Sequence, residues 1–322
     1  MEKLNKTIIH LGANKTGSTT LQRCLFAKSE ELLYLGEDCE DYIIHKDTLN
    51  SLVSDDDLFF DYQAAKEVFE KKLSGDPTKT SIYSNEDVMA SRVPTVCARR
   101  LKQLLPDAEI LIVLRNQLTA IPSWYANHGA FLKLVPRCHW QRYVPFDDWM
   151  NYCIDFINYS PFASFFYHRL LTLYASLFGR DKIHILFYED FVKNKSAFVR
   201  DLCEILDIDS SKALTLLGER RERTRNSERF MRYHKMRNWL FWNRSLSRCI
   251  PGGAAMKQQL FRYLESGKPY SGFVSAEWKE TIASIYAEDN TKLAEDFDLP
   301  LHQYDYPVTL AQQTGEASRG IL

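Results

Sequence analysis

The sequence predicts an α/β protein, a central parallel sheet flanked by helices with a helical C-terminal elaboration, and three observations carry that prediction. Short apolar runs recur at residues 7–11, 80–83, 109–115 and 182–188. They lack alternation, as strands covered on both faces do. Helical periodicity fills the intervals between them, and a glycine-rich turn separates the first run from the helix after it.

The composition sets the bounds. At 322 residues the chain is long enough for one large domain or two small ones, and with no repeat and no Gly/Ser linker it reads as one domain over 1–311. The tail from 312 is small and polar and is expected to fray. Forty-one Lys and Arg against 42 Asp and Glu leave a net charge of −1, so no nucleic-acid partner held by bulk basicity is expected. No run of eighteen apolar residues predicts a membrane span, and the apolar stretch before Gly12 is too short for a signal-peptide core. The cysteines (Cys24, Cys39, Cys97, Cys138, Cys153, Cys203, Cys249) are scattered and never form CxxC. Reduced thiols in a cytoplasm are the economical reading.

In chain order, the first strand is followed by a helix in which Leu21, Cys24 and Leu25 share a face. Residues 37–76 are polar and acidic, and within them only 62–73 reads as a helix. The second strand runs into Ser84-Asn85-Glu86, and Pro94 opens a helix that Pro106 stops. The third strand is the plainest, with Ile110, Leu111, Ile112, Val113 and Leu114 in a row before Arg115. A helix through Trp124 and His128 follows, then an aromatic stretch over 135–166 and a helix over 165–178 closed by Gly179. After the fourth strand, helices are expected over 196–206, in a basic stretch over 219–248, and over 275–297 with Ser275 as N-cap.

Residues 12–22 read GANKTGSTTLQ between a strand and a helix, and this is an anion cradle. Glycines allow a tight turn, successive N–H groups converge, and the helix start adds partial positive charge. Lys15 contributes a full charge, and Ser18, Thr19 and Thr20 contribute hydroxyls. A nucleoside-triphosphatase loop, G-x-x-x-x-G-K-[ST], is the competing reading, but Ser18 stands where that motif needs lysine. Magnesium chemistry also wants an acidic residue after a neighbouring strand, and here Arg115 occupies that place. A kinase is therefore the weaker reading.

Lys15-Thr16-Gly17-Ser18-Thr19-Thr20 resembles the 5′-phosphosulfate loop of the sulfotransferase family, nearest in character to its bacterial glycan-type members. The pair Arg115 and Ser123, eight residues apart, is similar to the pair with which that family grips a 3′-phosphate. A guanidinium at a strand end and a hydroxyl two turns into the next helix can converge on one phosphate. Phe187-Tyr188-Glu189-Asp190-Phe191 matches a third family sequence, with Tyr188 near adenine, although a core tyrosine followed by a helix start fits equally. Arg220, Arg221, Arg223, Arg225, Asn226 and Ser227 lie where relatives place a late phosphate clamp, here without the Arg-Lys-Gly form of the hormone-type enzymes. A solvated basic helix face is the alternative for them.

The resemblance implies a donor, 3′-phosphoadenylyl sulfate (PAPS), a product, PAP, and no metal. Lys15, with the loop amides and hydroxyls, would stabilise charge on the leaving oxygen, and the acceptor hydroxyl or amine would need a base. Glu86, after the second strand, is preferred for that role because parallel sheets meet ligands at strand ends. Glu37 matches the glutamate of glycan and tyrosylprotein enzymes, and His128 is a third candidate. His10, inside a strand, reads as core. Trp140, Tyr143, Trp149, Tyr152 and Tyr159, with Arg137 and Arg142, suit an acceptor wall for a glycan or small alcohol, or the packing of a helical layer. A non-catalytic nucleotide-binding protein would keep the cradle and lack a base.

Overall fold

Side chains alternate across a strand, and β1 (Thr7–Leu11) sends Ile9 and Leu11 into one buried cluster and Ile8 into another. The computed structural model describes residues 6–13, 15–37, 39–73, 75–127, 143–218, 226–241, 254–268, 270 and 274–309. From β1 the chain turns into α1 (Ser18–Thr20), which continues as a π-helical stretch over Leu21–Phe26. Next come β2 (Leu32–Gly36), α2 (Glu40–Ile44), α3 (Lys46–Ser54) and α4 (Tyr62–Leu73). They are followed by β3 (Thr80–Asn85), α5 (Pro94–Leu104), β4 (Glu109–Leu114) and α6 (Gln117–Asn127). The second half holds α7 (Phe146–Asp155), α8 (Tyr167–Phe178), β5 (Ile183–Phe187), α9 (Tyr188–Lys193), α10 (Lys195–Leu206) and α11 (Ser210–Leu217). It ends with α12 (Glu228–Phe241), α13 (Ala254–Glu265) and α14 (Ala276–Phe297).

The strands form one parallel sheet in the order β2-β3-β1-β4-β5. Ile110, Ile112 and Leu114 join the cluster of Ile9 and Tyr83 on one face, while Leu111 and Val113 join Ile8 and Ile82 on the other. Each such side chain, fully buried, contributes about 1.5–3 kcal/mol relative to exposure. The chain leaves β1 toward β2 on one side of the sheet and leaves β4 toward β5 on the other. Between β1 and β4 the outgoing connections therefore diverge, and such a divergence opens a crevice beyond the strand ends. The segments after Leu11 and Leu114 flank it.

Four strands were expected and the described residues hold five. β2 is an edge strand, paired only with β3, and its Leu-Leu-Tyr-Leu-Gly run is too short to separate from the preceding helix by periodicity. The acidic stretch 37–76 is also more ordered than its composition predicts. In α3, Leu49, Leu52 and Val53 are buried, and the helix end is held from a distance. Arg100 on α5, itself buried, donates to the carbonyls of Ser51, Leu52 and Asp55 and to Asp57 Oδ1. A helix end capped by a residue about fifty positions away leaves no local signal. Pro94 and Ser275 act as read: Pro94 opens α5, and Ser275 accepts from the Trp278 amide.

His10 is fully buried, with Nδ1 2.7 Å from Ser84 Oγ across the β1–β3 pair. Gln22 Nε2 donates to the same oxygen at 2.9 Å, so the three side chains form one buried polar cluster. Burial lowers the His10 pKa to about 3. Because the folded value lies below the unfolded one, the unfolded chain takes the proton first as pH falls. This contribution is complete above about pH 6.5 and is lost toward pH 3, at up to about 1.4 kcal/mol per pH unit. Denaturant unfolding should show stability falling from pH 7 to 5, with a shallower fall in His10→Gln; equal slopes would contradict the assignment.

Candidate active site

The turn after β1 is shaped by two backbone requirements. A Cβ on Gly12 would lie 2.8 Å from Glu86 Cα, so only glycine lets the β1 exit pass the β3 exit. Further on, Lys15 (φ 68) and Gly17 (φ 86) both take the left-handed conformation. Ala13 O accepts Thr16 Oγ1 at 2.7 Å and Ser18 Oγ at 3.1 Å, which draws the loop closed. Gly17 precedes α1 with no side-chain cap, and its carbonyl receives the Thr20 amide at 2.9 Å. The amides of Ser18 and Thr19 are left without an acceptor among the described residues. Thr19 Oγ1 donates to Glu86 Oε1 at 2.8 Å, which ties the β3 exit to the cradle.

On the other side of the crevice, Arg115 reaches back to the same loop. Its Nη1 donates to Lys15 O at 2.6 Å, its Nε to Thr119 Oγ1 at 3.0 Å and its Nη2 to Thr119 O at 3.3 Å. The guanidinium lies 4.4 Å above the Tyr188 ring. Tyr188 and Phe191 also border Gly17, at 3.7 Å and 3.3 Å from the site of a Cβ there. Tyr167 donates to Arg115 O at 2.8 Å, fixing the backbone from below.

The consecutive residues Tyr188, Glu189 and Asp190 open α9 and each serve a different neighbour. Tyr188 carries the Arg115 guanidinium, Glu189 Oε1 accepts the Asn116 amide at 2.9 Å, and Asp190 Oδ2 accepts the Tyr304 hydroxyl at 2.8 Å. Burial raises the Glu189 pKa, against the Asn116 hydrogen bond, and its second oxygen meets no donor among the described residues.

Thr16, Gly17, Ser18, Thr19 and Thr20 therefore fall together with Lys15, Glu86, Arg115 and Tyr188. Ser123 is buried on α6, and Asn226 docks at the end of the same helix, donating Nδ2 to Ala126 O at 2.8 Å. Glu37 is exposed past β2, its carbonyl accepting from Tyr34 Oη at 3.0 Å. The Tyr42 pKa is pushed up to about 12 by burial, with the charges of Asp87 and Glu37 adding to it. Glu37 thus stands on the β2–β3 side of the sheet edge, without the tie to the cradle that Glu86 has. His10 is core, as read. His128, Arg137, Trp140, Arg142, Arg220, Arg221, Arg223 and Arg225 lie outside the described residues. Trp149 is buried and stacked on Trp124 at 5.7 Å, so it packs the helical layer, whereas Tyr159 is exposed. Thr119, Asn116 and Tyr304 were not legible as site residues. Thr119 had a signal in its four-residue spacing from Arg115; Tyr304, almost two hundred positions away, had none.

Fold and crevice together define a parallel α/β protein in which a glycine loop and a buried arginine meet between two strand exits. A sequence model of the Sulfotransferase domain matches residues 5–288, and the chain belongs to the sulfotransferase family. A comparison with curated protein sequences finds no match. Among solved structures the chain is similar to a sulfotransferase from Alicyclobacillus acidocaldarius, with TM-score 0.54, 16% identity, and 93% of this chain and 98% of that one covered. It also aligns with the sulfotransferase domain of the Synechococcus PCC 7002 olefin synthase, with TM-score 0.38, 14% identity, and 84% and 98% coverage. At 16% identity the first of these bears on the fold alone.

Gly12→Ala should destabilise the chain by about 1–3 kcal/mol, the usual cost of forcing atoms into filled space. Its methyl would meet backbone rather than a side chain that can swing aside. Thermal or urea unfolding measures it, and an unchanged midpoint would show that the two exits can separate freely.

Proposed function

We propose that this sulfotransferase takes PAPS as donor and sulfates an acceptor hydroxyl or amine, a saccharide being the acceptor class to test first. The observation that carries the reading is the Thr19–Glu86 hydrogen bond of 2.8 Å, because it sets a carboxylate beside an anion cradle that already contains a lysine. The cradle fits a 5′-phosphosulfate: it combines first-turn amides without a side-chain cap, two left-handed residues and the Lys15 ammonium. PAPS supplies the sulfuryl group and the phosphate oxygen from which it departs.

Lys15 and the amides of Ser18 and Thr19 stabilise the charge that gathers on that oxygen, a role often worth about 3–4 kcal/mol per key donor. Thr16, Gly17 and Thr20 shape the cradle. Glu86 takes the proton of the acceptor group, with Glu37 and His128 as its rivals. Arg115 and Ser123 receive the 3′-phosphate, Tyr188 flanks the adenine, and Arg223, Arg225 and Asn226 close over the nucleotide from the α6 side. The docking of Asn226 on Ala126 O supports that last placement. For the saccharide preference, the exposed ring of Tyr159 supports a sugar platform, while the withdrawal of Trp149 into the core removes one.

The first test is transfer of labelled sulfate from PAPS to a panel of glycans, phenols and lipid alcohols, alongside calorimetry with PAP and with ATP–magnesium. Turnover with PAP binding is expected; ATP–magnesium binding without PAP binding would favour the kinase reading, and PAP binding without turnover a non-catalytic protein. On the accepted substrate, Lys15→Ala should lower kcat by about 10²–10³-fold with a smaller change in PAP affinity. Glu86→Gln should lower kcat by about 10²–10⁴-fold and abolish the acid limb of the pH profile, since the amide keeps size but not basicity. Wild-type kcat in Glu86→Gln with an inactive Glu37→Gln would move the base to Glu37.

A further inference from the structure

The family match ends at residue 288, yet the chain beyond it is fastened to the candidate site. After α14 the backbone makes a 3-10 turn over Leu301–Tyr304 and runs on through residue 309 across the exits of β4 and β5. Tyr304 stacks on Phe187, the last residue of β5, with ring centroids 4.3 Å apart, and its hydroxyl reaches Asp190 Oδ2 at 2.8 Å. The carbonyls of Tyr304 and Asp305 accept both donors of the Asn116 side chain, at 3.0 and 2.7 Å. At its far end the segment is pinned to α14: Asn290 Nδ2 donates to Pro307 O, and the Thr309 amide to Thr291 Oγ1, each at 2.8 Å.

These contacts bear on Arg115 from two directions. Asn116, the next residue, is buried, and both its side-chain donors are taken by this segment. The Tyr188 ring under the guanidinium belongs to α9, which is only six residues long and starts without a side-chain cap. So short a helix does not hold itself. It packs through Phe191 on Phe198 of α10, with ring centroids 4.9 Å apart, and its polar anchors are the Asn116 amide on Glu189 and the Tyr304 hydroxyl on Asp190.

We propose that residues 299–309 form a strap that sets the Arg115 guanidinium for the nucleotide, with Tyr304 and Asn116 as its positioning residues. The proposal rests on the donor reading above, in which Arg115 receives the 3′-phosphate. It implies that loosening this segment, with the core residues of α14 left in place, weakens the hold on the nucleotide while the sheet stays folded.

The test uses the full chain and needs no acceptor. Calorimetry measures the Kd of PAP and of AMP, which lacks the 3′-phosphate, for wild type, Tyr304→Ala and Tyr304→Phe, with thermal midpoints alongside. A control, Leu73→Ala, lowers stability from the groove it lines with Thr7 at the opposite end of β1. Tyr304→Ala is expected to raise the PAP Kd about tenfold and the AMP Kd less than about threefold, the loss of one or two aligned contacts. Tyr304→Phe, which keeps the stack and loses the hydroxyl, should fall between. An unchanged PAP Kd in folded Tyr304→Ala, equal losses for PAP and AMP, or a loss as large in Leu73→Ala would each overturn the strap. A wild type that does not prefer PAP to AMP would instead overturn the donor reading, and with it the strap's role.

Discussion

The hydrogen bond from Arg115 to the Lys15 carbonyl, 2.6 Å long, joins the two chain segments that the sheet topology drives apart. It ties the β1 and β4 exits directly, beside the Tyr188 ring that borders both Gly17 and the guanidinium. Lys15 sits at φ 68, a left-handed conformation that costs a non-glycine residue about 1–2 kcal/mol. A hydrogen bond from a charged donor contributes about 1.5–3 kcal/mol, enough to offset that cost. The guanidinium can do this while buried because its fork finds Lys15 O and Thr119 on its edge and Tyr188 on its face. An ammonium in its place would lack the flat face and the fixed fork.

The loop's hydroxyls are allocated before any ligand arrives. Thr16 and Ser18 turn inward to Ala13 O, and Thr19 turns to Glu86. What the turn leaves pointing outward is therefore the backbone amides of Ser18 and Thr19, groups whose directions are set by the chain rather than by rotatable bonds. Dipoles fixed in advance stabilise developing charge without the cost of turning toward it. The same allocation makes Glu86 part of the cradle, since its backbone presses on Gly12 and its carboxylate accepts from Thr19.

Much of this could be read before folding, and the limits follow a physical pattern. The strands 7–11 and 109–115, the turn with its lysine, and Arg115 all announce themselves through short-range periodicity and residue type. β2 did not, because an edge strand of five residues has too few positions for a period to show. α3 did not, because Arg100 supplies its stop from another helix. The Tyr188-Glu189-Asp190 sequence was visible as a motif, but its division of labour was not, since each side chain answers to a partner distant in the chain. Trp149 illustrates the converse: an aromatic cluster in the sequence cannot say which ring faces a ligand, and stacking on Trp124 places this one in the core.

Strand order supplies the last constraint on the proposed chemistry. β3, β1 and β4 are neighbours in that order, and their exits carry Glu86, the lysine loop and Arg115 respectively. Adjacent strands lie about 4.8 Å apart, so the three exits span about 10 Å along the sheet edge. An in-line transfer needs the attacking atom and the departing oxygen on opposite sides of the group that moves. On the donor reading proposed above, the leaving oxygen sits at the β1 loop and the rest of the nucleotide toward β4, and the side left for an acceptor is that of β3 and β2, whose exits carry Glu86 and Glu37. A carboxylate at the β4 exit would crowd the nucleotide and face away from the acceptor. On that reading the sheet order, rather than any single residue, sets the base on the β2–β3 side of the crevice.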